Sequence, residues 1–451
     1  MKGSSLVPDD ETVLCNLLSP KLLQLSSTNT NINKFFQCPD FSFDLLRSTS
    51  KNPCSHLSSF DVSPSGEHFI ASFTGSSVNL YESETWEVRR SLEGHVGDIL
   101  TCKFFPSGLV ALTGGSDMQL KIWCLITGRC AATLSSKSTE VGYDDKTEPR
   151  GHRAGILDTA IVDRGRNITS IDRLGWLRLW DVATQTCISA IPITAGAVET
   201  RTIVSSVLEE ITCMAIRKHP SLPIQAVDPV NPDSWYEVRE TSSTTAQEVA
   251  TSDALVAVGT GTNASVRLYE LAARQKGCVA NCTLPNANGS VEACAFPEDL
   301  PIPFSKEMQF IDVPRSCVTS FADYGLFAGG QQGELASWDI RQTKQPLWQL
   351  THEKGAVKHI RVCRRPNSQY FLLIVSRNDG RTLVYPYDPA VAHGDAQMST
   401  SLELTGVNCE PICGLSLVHK SSGEINVWTA ARSGTIHRYT KLLDEITFRN
   451  P

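Results

Sequence analysis

The sequence predicts an all-β protein built from a repeated unit of four short strands, and three observations support this prediction. Two segments, residues 94–123 and 151–180, align with each other without gaps, and each begins with Gly-His and ends with Trp. Within both segments apolar and polar residues alternate with a period of two, which is typical of strands rather than helices. Weaker copies of the same plan recur along the chain, so the repeat is expected to extend over most of it.

The repeat matches the pattern of a WD repeat, in which Gly-His precedes the first strand and an aromatic residue ends the third strand. Third strands are predicted to end at Tyr81, Trp123, Trp180, Tyr269, Trp338, Tyr385 and Tyr439. Seven such units can close into a ring that leaves no long exposed sheet edge. The sequence therefore predicts a seven-bladed WD-repeat β-propeller.

The predicted propeller spans residues 54–445, and the preceding segment 1–53 is expected to contribute a strand that closes the ring. Three segments interrupt the repeat and are expected to be inserted loops: 135–149, 218–252 and 297–315. We expect the first insert on the face that carries the Gly-His turns and the second insert on the opposite face.

The second repeat contains the four residue types that form a buried hydrogen-bonded set in WD repeats: His95, Thr113, Asp117 and Trp123. In such a set the carboxylate accepts a hydrogen bond from the imidazole, the hydroxyl orients the imidazole, and the indole N–H finds a partner. We expect this set to make the second repeat the best-held part of the ring.

The third repeat has three of the same residue types, His152, Ser170 and Trp180. At the position that aligns with Asp117 stands Leu174, so we expect this second set to lack its carboxylate.

Composition and charge exclude several classes of function. The chain has 451 residues and a formal net charge of −7, which argues against nucleic acid as a partner because phosphates attract clustered Lys and Arg. Its 15 cysteines are scattered without the spacing of a disulfide framework or a zinc site, which favours reduced thiols in the cytoplasm or nucleus. No apolar run is long enough to span a bilayer. We therefore expect a monomer that binds no membrane, metal or cofactor.

Two patterns that suggest an enzyme have a structural interpretation. Residues 259–264, Gly-Thr-Gly-Thr-Asn-Ala, fit a loose dinucleotide fingerprint, but a strand-like segment follows them where that motif needs a helix. His95, Asp117 and Thr113 could be read as a hydrolase triad, but their spacing fits the structural set. We expect a protein that is not an enzyme.

The rim that carries the Gly-His turns is the candidate partner-binding face. The residues assigned to it are Asp98, Asp144, Asp145, Glu148, Arg153, Asp172, Arg173, Trp176, Glu209 and Glu210. Arg153, Arg173 and Trp176 are the candidate central contacts, since Arg and Trp dominate many interfaces. The alternative is that the acidic residues belong only to a solvated loop.

A second candidate site lies at the end of the fifth predicted third strand. Trp338, Asp339 and Arg341 form a Trp-Asp-x-Arg box that resembles the one on WD-repeat substrate receptors of cullin-RING ubiquitin ligases. That resemblance implies contact between Arg341 and a ligase adaptor. Trp-Asp is also common at this position of any WD repeat, so the purely structural alternative stays open.

Two segments resemble a more specific family than WD repeats in general. Residues 92–115 and 151–167, which include GHVGDILTCKFF and GILDTAIVDRGRN, closely resemble the WD-repeat assembly chaperones of the proteasome regulatory particle. Weaker matches occur at 403–411 and 432–439. The resemblance implies a non-enzymatic protein that binds proteasomal ATPase subunits, holds their C-terminal domains and prevents premature docking onto the core particle.

Overall fold

A computed structural model describes most of the chain, and every regular element in the described part is a β-strand. The described residues are 13–27, 33–45, 56–135, 151–193, 210–217, 251, 254–271, 277–285, 289–298, 324–350, 355–364, 371–389, 400–406, 409–420, 424–440 and 442. The predicted inserts fall almost entirely outside these ranges. A search of the described residues for a helix of the length and apolarity that a membrane crossing requires finds none.

The strands are short and follow one another closely along the chain. In the first half of the chain they are β1 (Val13–Ser19), β2 (Leu22–Ser27), β3 (Asn33–Gln37), β4 (Phe41–Asp44), β5 (Leu57–Val62), β6 (His68–Phe73), β7 (Ser77–Glu82), β8 (Val88–Glu93), β9 (Ile99–Phe104), β10 (Val110–Gly115), β11 (Leu120–Cys124), β12 (Arg129–Leu134), β13 (Ile156–Val162), β14 (Asn167–Asp172), β15 (Trp176–Asp181), β16 (Thr186–Pro192) and β17 (Ile211–Ile216). In the second half they are β18 (Leu255–Thr260), β19 (Ser265–Glu270), β20 (Cys278–Thr283), β21 (Val291–Ala295), β22 (Gly325–Gly330), β23 (Leu335–Asp339), β24 (Trp348–Leu350), β25 (Val357–Arg364), β26 (Phe371–Arg377), β27 (Thr382–Tyr387), β28 (Thr400–Leu404), β29 (Ile412–His419), β30 (Ile425–Ala431) and β31 (Thr435–Tyr439).

These strands form six four-stranded sheets and one seven-stranded sheet. We number the sheets by the chain order of their first strands. The first five sheets are β5–β8, β9–β12, β13–β16, β17–β20 and β21–β24; the sixth sheet is β25–β28 extended by β3, β2 and β1; the seventh sheet is β29–β31 followed by β4. The aromatic residues expected to end third strands all lie in the third strand of a sheet.

The sheets are arranged as a closed ring. The first strand of each sheet contacts the first strand of the next sheet, from β5 and β9 onward, and β29 of the seventh sheet returns to contact β5. A ring of small sheets joined through their innermost strands is a β-propeller, and the chain is an all-β WD-repeat β-propeller.

The core lies between the sheets. Each hydrophobic cluster formed by the described residues joins two neighbouring sheets: for example, Trp180 packs with Leu112 and Ile122 between the second and third sheets. Gly414 shows how closely the seventh and first sheets approach, because a Cβ added to it would lie 2.5 Å from the Cβ of Phe60. Most of the apolar burial therefore depends on the ring being complete.

The N-terminal segment supplies strands to the last two sheets. β3 pairs in parallel with β28, and β4 pairs antiparallel with β31 as the outer strand of the seventh sheet. Asp40 anchors this junction: its Oδ2 accepts hydrogen bonds from the backbone N–H of Thr440 at 2.5 Å and from the Thr440 hydroxyl at 2.7 Å. Burial opposes ionisation of Asp40, but hydrogen bonds from Lys21 and Thr440 hold the pKa of Asp40 below its usual value.

The second sheet contains a complete hydrogen-bonded tetrad. His95 Nδ1 lies 2.9 Å from Asp117 Oδ2, His95 Nε2 lies 2.7 Å from Thr113 Oγ1, and the Trp123 indole donates to Thr113 Oγ1 at 2.8 Å. Because an ionised carboxylate can only accept, His95 Nδ1 carries the proton, and His95 Nε2 accepts from the Thr113 hydroxyl. This chain of bonds ties the turn before β9 to strands β10 and β11.

The expectation that the third repeat lacks a carboxylate is wrong. His152 Nδ1 lies 2.6 Å from Asp172 Oδ2, His152 Nε2 lies 2.6 Å from Ser170 Oγ, and the Trp180 indole donates to Ser170 Oγ at 2.9 Å. Asp172 is fully buried, so its assignment to the partner-binding face is also wrong. Leu174, in contrast, is 48% exposed.

A glycine in the second sheet explains why the two tetrads take their carboxylates from different positions of the repeat. Asp172 aligns with Gly115, and a Cβ added to Gly115 would lie 2.7 Å from Asp117 Oδ1 and 3.0 Å from His95 Nδ1. A side chain at this position therefore points to the place that the Asp117 carboxylate occupies. The carboxylate can reach its histidine from the turn, over a glycine, or directly from the last residue of the second strand.

We predict that Asp40→Ala lowers the free energy of unfolding by about 1–2 kcal/mol, because the backbone N–H and hydroxyl of Thr440 lose their acceptor. Urea denaturation of the full chain measures this loss. Lys21→Ala is the matched control, because it removes the ion pair with Asp40 but leaves both Thr440 bonds, and it is expected to cost less than about 1 kcal/mol. Equal losses in the two variants would contradict the proposed anchor.

We predict that Asp117→Ala and Asp172→Ala each lower the free energy of unfolding by about 1–3 kcal/mol, since each leaves a buried imidazole N–H without its acceptor. The loss should be at least as large for Asp172, whose carboxylate also accepts from the backbone N–H groups of Leu174 and Trp176. Leu174→Asp is the control and should leave stability nearly unchanged, because the carboxylate is already present. A clear gain in stability for Leu174→Asp would mean that Asp172 does not serve the tetrad.

We predict that the propeller loses stability as the pH falls below about 6.5. Burial lowers the pKa of His95 and His152, against the opposing effect of their aspartate partners, so the folded protein holds both imidazoles neutral. The unfolded chain takes up these protons first, and stability is therefore complete above the ordinary histidine pKa and declines below it. Urea unfolding at pH 7.5, 6.5 and 5.5 measures the trend. Constant or rising stability over this interval would show that the imidazoles are not held neutral.

Candidate functional site

The candidate site lies on the end of the ring where the tetrads hold the turns. In the second and third sheets these turns are residues 94–98, 116–119, 151–155 and 173–175, and we call this end the Gly-His face. The tetrads connect the turns to the strands below them, as described above. In these two sheets, the turns of the Gly-His face are therefore fixed to the strands by hydrogen bonds.

Exposed apolar side chains gather on this face. Val96 is 88% exposed, Met118 is 42% exposed and Leu174 is 48% exposed, and Trp176 beside them is half-buried. We call these four residues the apolar patch. Exposed apolar groups of this kind, clustered and surrounded by polar residues, are typical of protein-binding surfaces.

Backbone contacts join the turns that carry the apolar patch. The Val96 N–H donates to Asp117 Oδ2 at 3.1 Å, which places Val96 beside the turn that contains Met118. In the third sheet the Arg173 N–H donates to the Gly155 carbonyl at 3.1 Å. Gly155 in turn packs against the second sheet, since a Cβ added to it would lie 3.3 Å from the Cα of Ser116. The turns that carry the apolar patch are therefore adjacent in the second and third sheets.

Met118 has a backbone conformation that a side chain seldom adopts. Its φ is +64°, in the left-handed region where glycine or asparagine is usually found. Met118 is also 42% exposed and belongs to none of the hydrophobic clusters formed by the described residues. A strained, exposed apolar residue is an observation that favours a binding role.

Charged residues surround the apolar patch. Asp98, Arg153, Arg173 and Glu210 are all exposed, as expected for a partner-binding face. Asp98 is held in place because its Oδ1 accepts a hydrogen bond from the Gly75 N–H of the first sheet at 2.8 Å. The remaining residues assigned to this face lie outside the described residues: Asp144, Asp145, Glu148 and Glu209.

Trp176 is positioned by a buried cation. The Arg178 guanidinium lies 5.3 Å from the centre of the Trp176 ring, and Arg178 is almost completely buried. A cation over an aromatic ring is attracted to the ring face. Arg178 therefore supports the half-buried Trp176 side chain at the start of β15.

The Trp-Asp-x-Arg box is on the opposite face of the ring. Trp338 is fully buried in the core between the fourth and fifth sheets, which excludes its indole from direct contact with a partner. Arg341 binds Asp339 through Nε at 2.9 Å and Nη2 at 2.5 Å, and its guanidinium lies 4.3 Å from the centre of the Tyr324 ring. Hydrogen bonding to Asp339 raises the pKa of Arg341.

The dinucleotide fingerprint does not form a phosphate loop. Gly259 lies within strand β18, and strand β19 begins at Ser265 without an intervening helix. The segment is a strand followed by a turn. Among the described residues, no group of three His, Cys, Asp or Glu side chains is arranged to hold a metal ion.

Sequence reasoning missed Val96, Met118 and Leu174. Val96 and Met118 are single apolar residues in turns, and such residues carry no periodic signal. Leu174 was noticed only as a missing carboxylate, although an apolar residue in a predicted polar turn could have been read as a surface contact.

Comparison with known proteins places one repeat in an established family. Residues 86–124 match the WD domain, G-beta repeat family, and this range includes Val96 and Met118.

Three relatives have names that refer to the proteasome. The chain is 37% identical over 98 residues to the 26S proteasome regulatory subunit RPN14 of Saccharomyces cerevisiae, covering 22% of this chain and 20% of that protein. It is 29% identical over 109 residues to proteasomal ATPase-associated factor 1 of Homo sapiens, covering 24% and 26%. It is 29% identical over 106 residues to the Gallus gallus protein of the same name, covering 23% and 26%. The matched segments thus span about a quarter or less of each relative. The chain is a WD-repeat β-propeller that resembles proteasomal ATPase-associated factor 1 and the yeast regulatory subunit.

Proposed function

We propose that this chain binds ATPase subunits of the proteasome regulatory particle through its Gly-His face, and acts as a chaperone or regulator of that particle's assembly. The apolar patch carries the proposal, because it gives this face exposed apolar groups on two neighbouring sheets, and Val96 and Met118 lie in the range that matches the WD family. The names of the relatives supply the identity of the partner. The role is one of binding, without a catalysed reaction, in the cytoplasm or nucleus.

The apolar centre and charged surroundings of the Gly-His face suit a protein partner. An apolar centre can be desolvated on binding and sets the dissociation rate, while a charged rim steers association and selects the partner. Arg153 and Arg173 are exposed in the turns of the third sheet, and Asp98 is hydrogen-bonded to the first sheet. The net charge of −7 favours a partner with a basic surface.

The proposal includes a seven-bladed ring. We count the sixth, seven-stranded sheet as one of the seven blades, because its four strands β25–β28 have the same antiparallel order as the other sheets. β25 also contacts β21 on one side and β29 on the other, as the first strand of a blade must. In this arrangement β1–β3 are an addition to the outer edge of one blade.

The ligase-receptor alternative depends on Arg341. Its guanidinium is bound by Asp339 and lies over Tyr324, and 52% of its side chain is exposed. Exposed Leu109 and Ile126 also lie on this opposite face, in the second sheet. For the Gly-His face, we expect that reversing Asp144, Asp145 and Glu148 together to Lys slows association with the ATPase partner.

We predict that Leu174→Asp and Val96→Asp each weaken binding to a proteasomal ATPase subunit by about tenfold or more, because each places a charge in the desolvated centre of the interface. Surface plasmon resonance against each purified ATPase subunit measures the dissociation constant. Leu109→Asp and Ile126→Asp are the matched controls, since they make the same change on the opposite face. Thermal unfolding of every variant shows that the fold is intact.

The pattern of loss decides between the two faces. Normal binding by both Gly-His-face variants, together with weak binding by the control variants, would place the interface on the opposite face. Pull-down of the full chain followed by mass spectrometry, with and without Arg341→Ala, then shows whether a ligase adaptor replaces the ATPase subunits as the partner.

A further inference from the structure

Two cysteine side chains from neighbouring sheets meet beside the central channel. Cys213 in β17 and Cys294 in β21 have their Sγ atoms 3.7 Å apart. β17 and β21 are the first strands of the fourth and fifth sheets, so this contact lies across an interface of the ring. Cys213 is half-buried and Cys294 is buried.

The pair occupies a repeated position of the ring. Cys213 follows the bulge in its first strand as Thr101 does in β9: Cys213 pairs with Gly259, and Thr101 pairs with Gly114. At the interface between the second and third sheets, the Thr101 and Thr159 hydroxyls form a hydrogen bond of 3.1 Å. At the interface between the fourth and fifth sheets, two thiols take the place of these two hydroxyls.

Backbone features hold the two thiols together. Gly259 leaves room for the Cys213 thiol, because a Cβ added to Gly259 would lie 2.5 Å from Cys213 Sγ. The neighbouring Thr212 hydroxyl donates to the Val291 carbonyl of the fifth sheet and holds the two strands side by side. A contact between thiols is a weak hydrogen bond and contributes less than the hydroxyl pair of Thr101 and Thr159.

We propose that Cys213 and Cys294 are a redox-sensitive pair that forms a disulfide across the ring when the protein meets hydrogen peroxide. The sulfur atoms, 3.7 Å apart, must approach by about 1.7 Å to reach the disulfide bond length of about 2.05 Å. The bond joins the inner strands of the fourth and fifth sheets covalently.

The reaction proceeds in two steps that balance. The Cys213 thiolate attacks peroxide, the O–O bond breaks, hydroxide leaves, and Cys213 becomes a sulfenic acid. The Cys294 sulfur then attacks the sulfenic sulfur, the S–O bond breaks, water leaves, and the disulfide forms. Two thiols and one peroxide thus give one disulfide and two waters.

The surroundings of the two thiols indicate which one reacts first with peroxide. Hydrogen bonding with Cys213 and burial raise the pKa of Cys294 well above its ordinary value, so Cys294 is the poorer first nucleophile. Cys213 is less buried than Cys294, so peroxide can reach its sulfur more easily. The second step is helped by the contact between the two sulfurs, since proximity replaces a bimolecular encounter.

The experiment treats the reduced full chain with hydrogen peroxide, blocks the remaining thiols with a maleimide, and maps peptides by mass spectrometry. We expect a linked peptide pair containing Cys213 and Cys294, which dithiothreitol separates and which Cys213→Ser and Cys294→Ser each abolish. Cys130→Ser is the control, because Cys130 is exposed and should not change the yield of this linkage. Failure to find the linked pair, while exposed cysteines are oxidised, would overturn the proposal.

A second measurement does not depend on the serine variants folding well. A cross-link that closes a long loop should slow unfolding if the interface between the fourth and fifth sheets opens on the unfolding path. We expect oxidised wild-type protein to unfold at least threefold more slowly in urea than the reduced protein, and dithiothreitol to restore the original rate. Equal rates before and after a verified linkage would show that the bond does not lock the ring.

Discussion

The structure depends on closure of the ring. Each sheet has two faces that must be covered by neighbours, so the first sheet needs the seventh as much as it needs the second. Because the outer strand of the seventh sheet, β4, comes from before the first sheet, the two ends of the chain are hydrogen-bonded together. The hydrophobic clusters formed by the described residues all lie between sheets, and opening one interface would expose the clusters on that side to water.

In each tetrad, the position of the buried carboxylate determines which side chain of the turn is left exposed on the surface. In the second sheet Asp117 supplies it from the turn, over Gly115; in the third sheet Asp172 supplies it from the strand. In the third sheet, therefore, the tetrad does not need the side chain at the turn position that aligns with Asp117. Leu174 occupies that position and is exposed. Because Asp172 supplies the carboxylate for His152, this position can add an apolar group to the Gly-His face.

Much of the fold could be predicted from the sequence, because the repeat signals lie in residues that pack locally. The aromatic ends of third strands and the His, Thr and Trp of the tetrad fall at fixed spacings. The role of Asp172 in the third-sheet tetrad could not be predicted, since a gapless alignment compares positions and not the directions in which side chains point. The roles of β1–β4 carry no repeat signal, because their partners β28 and β31 lie at the other end of the chain.

The energetic cost of using each candidate face differs, and this difference favours the Gly-His face. Val96, Met118 and Leu174 are held exposed by hydrogen-bonded turns, so a partner that buries them neither breaks an existing bond nor orders a mobile segment. Arg341 is paired with a carboxylate through two nitrogens and lies 4.3 Å from the centre of a tyrosine ring. A partner that draws Arg341 away from Asp339 loses these interactions, whereas the apolar patch can be buried without the loss of a bond.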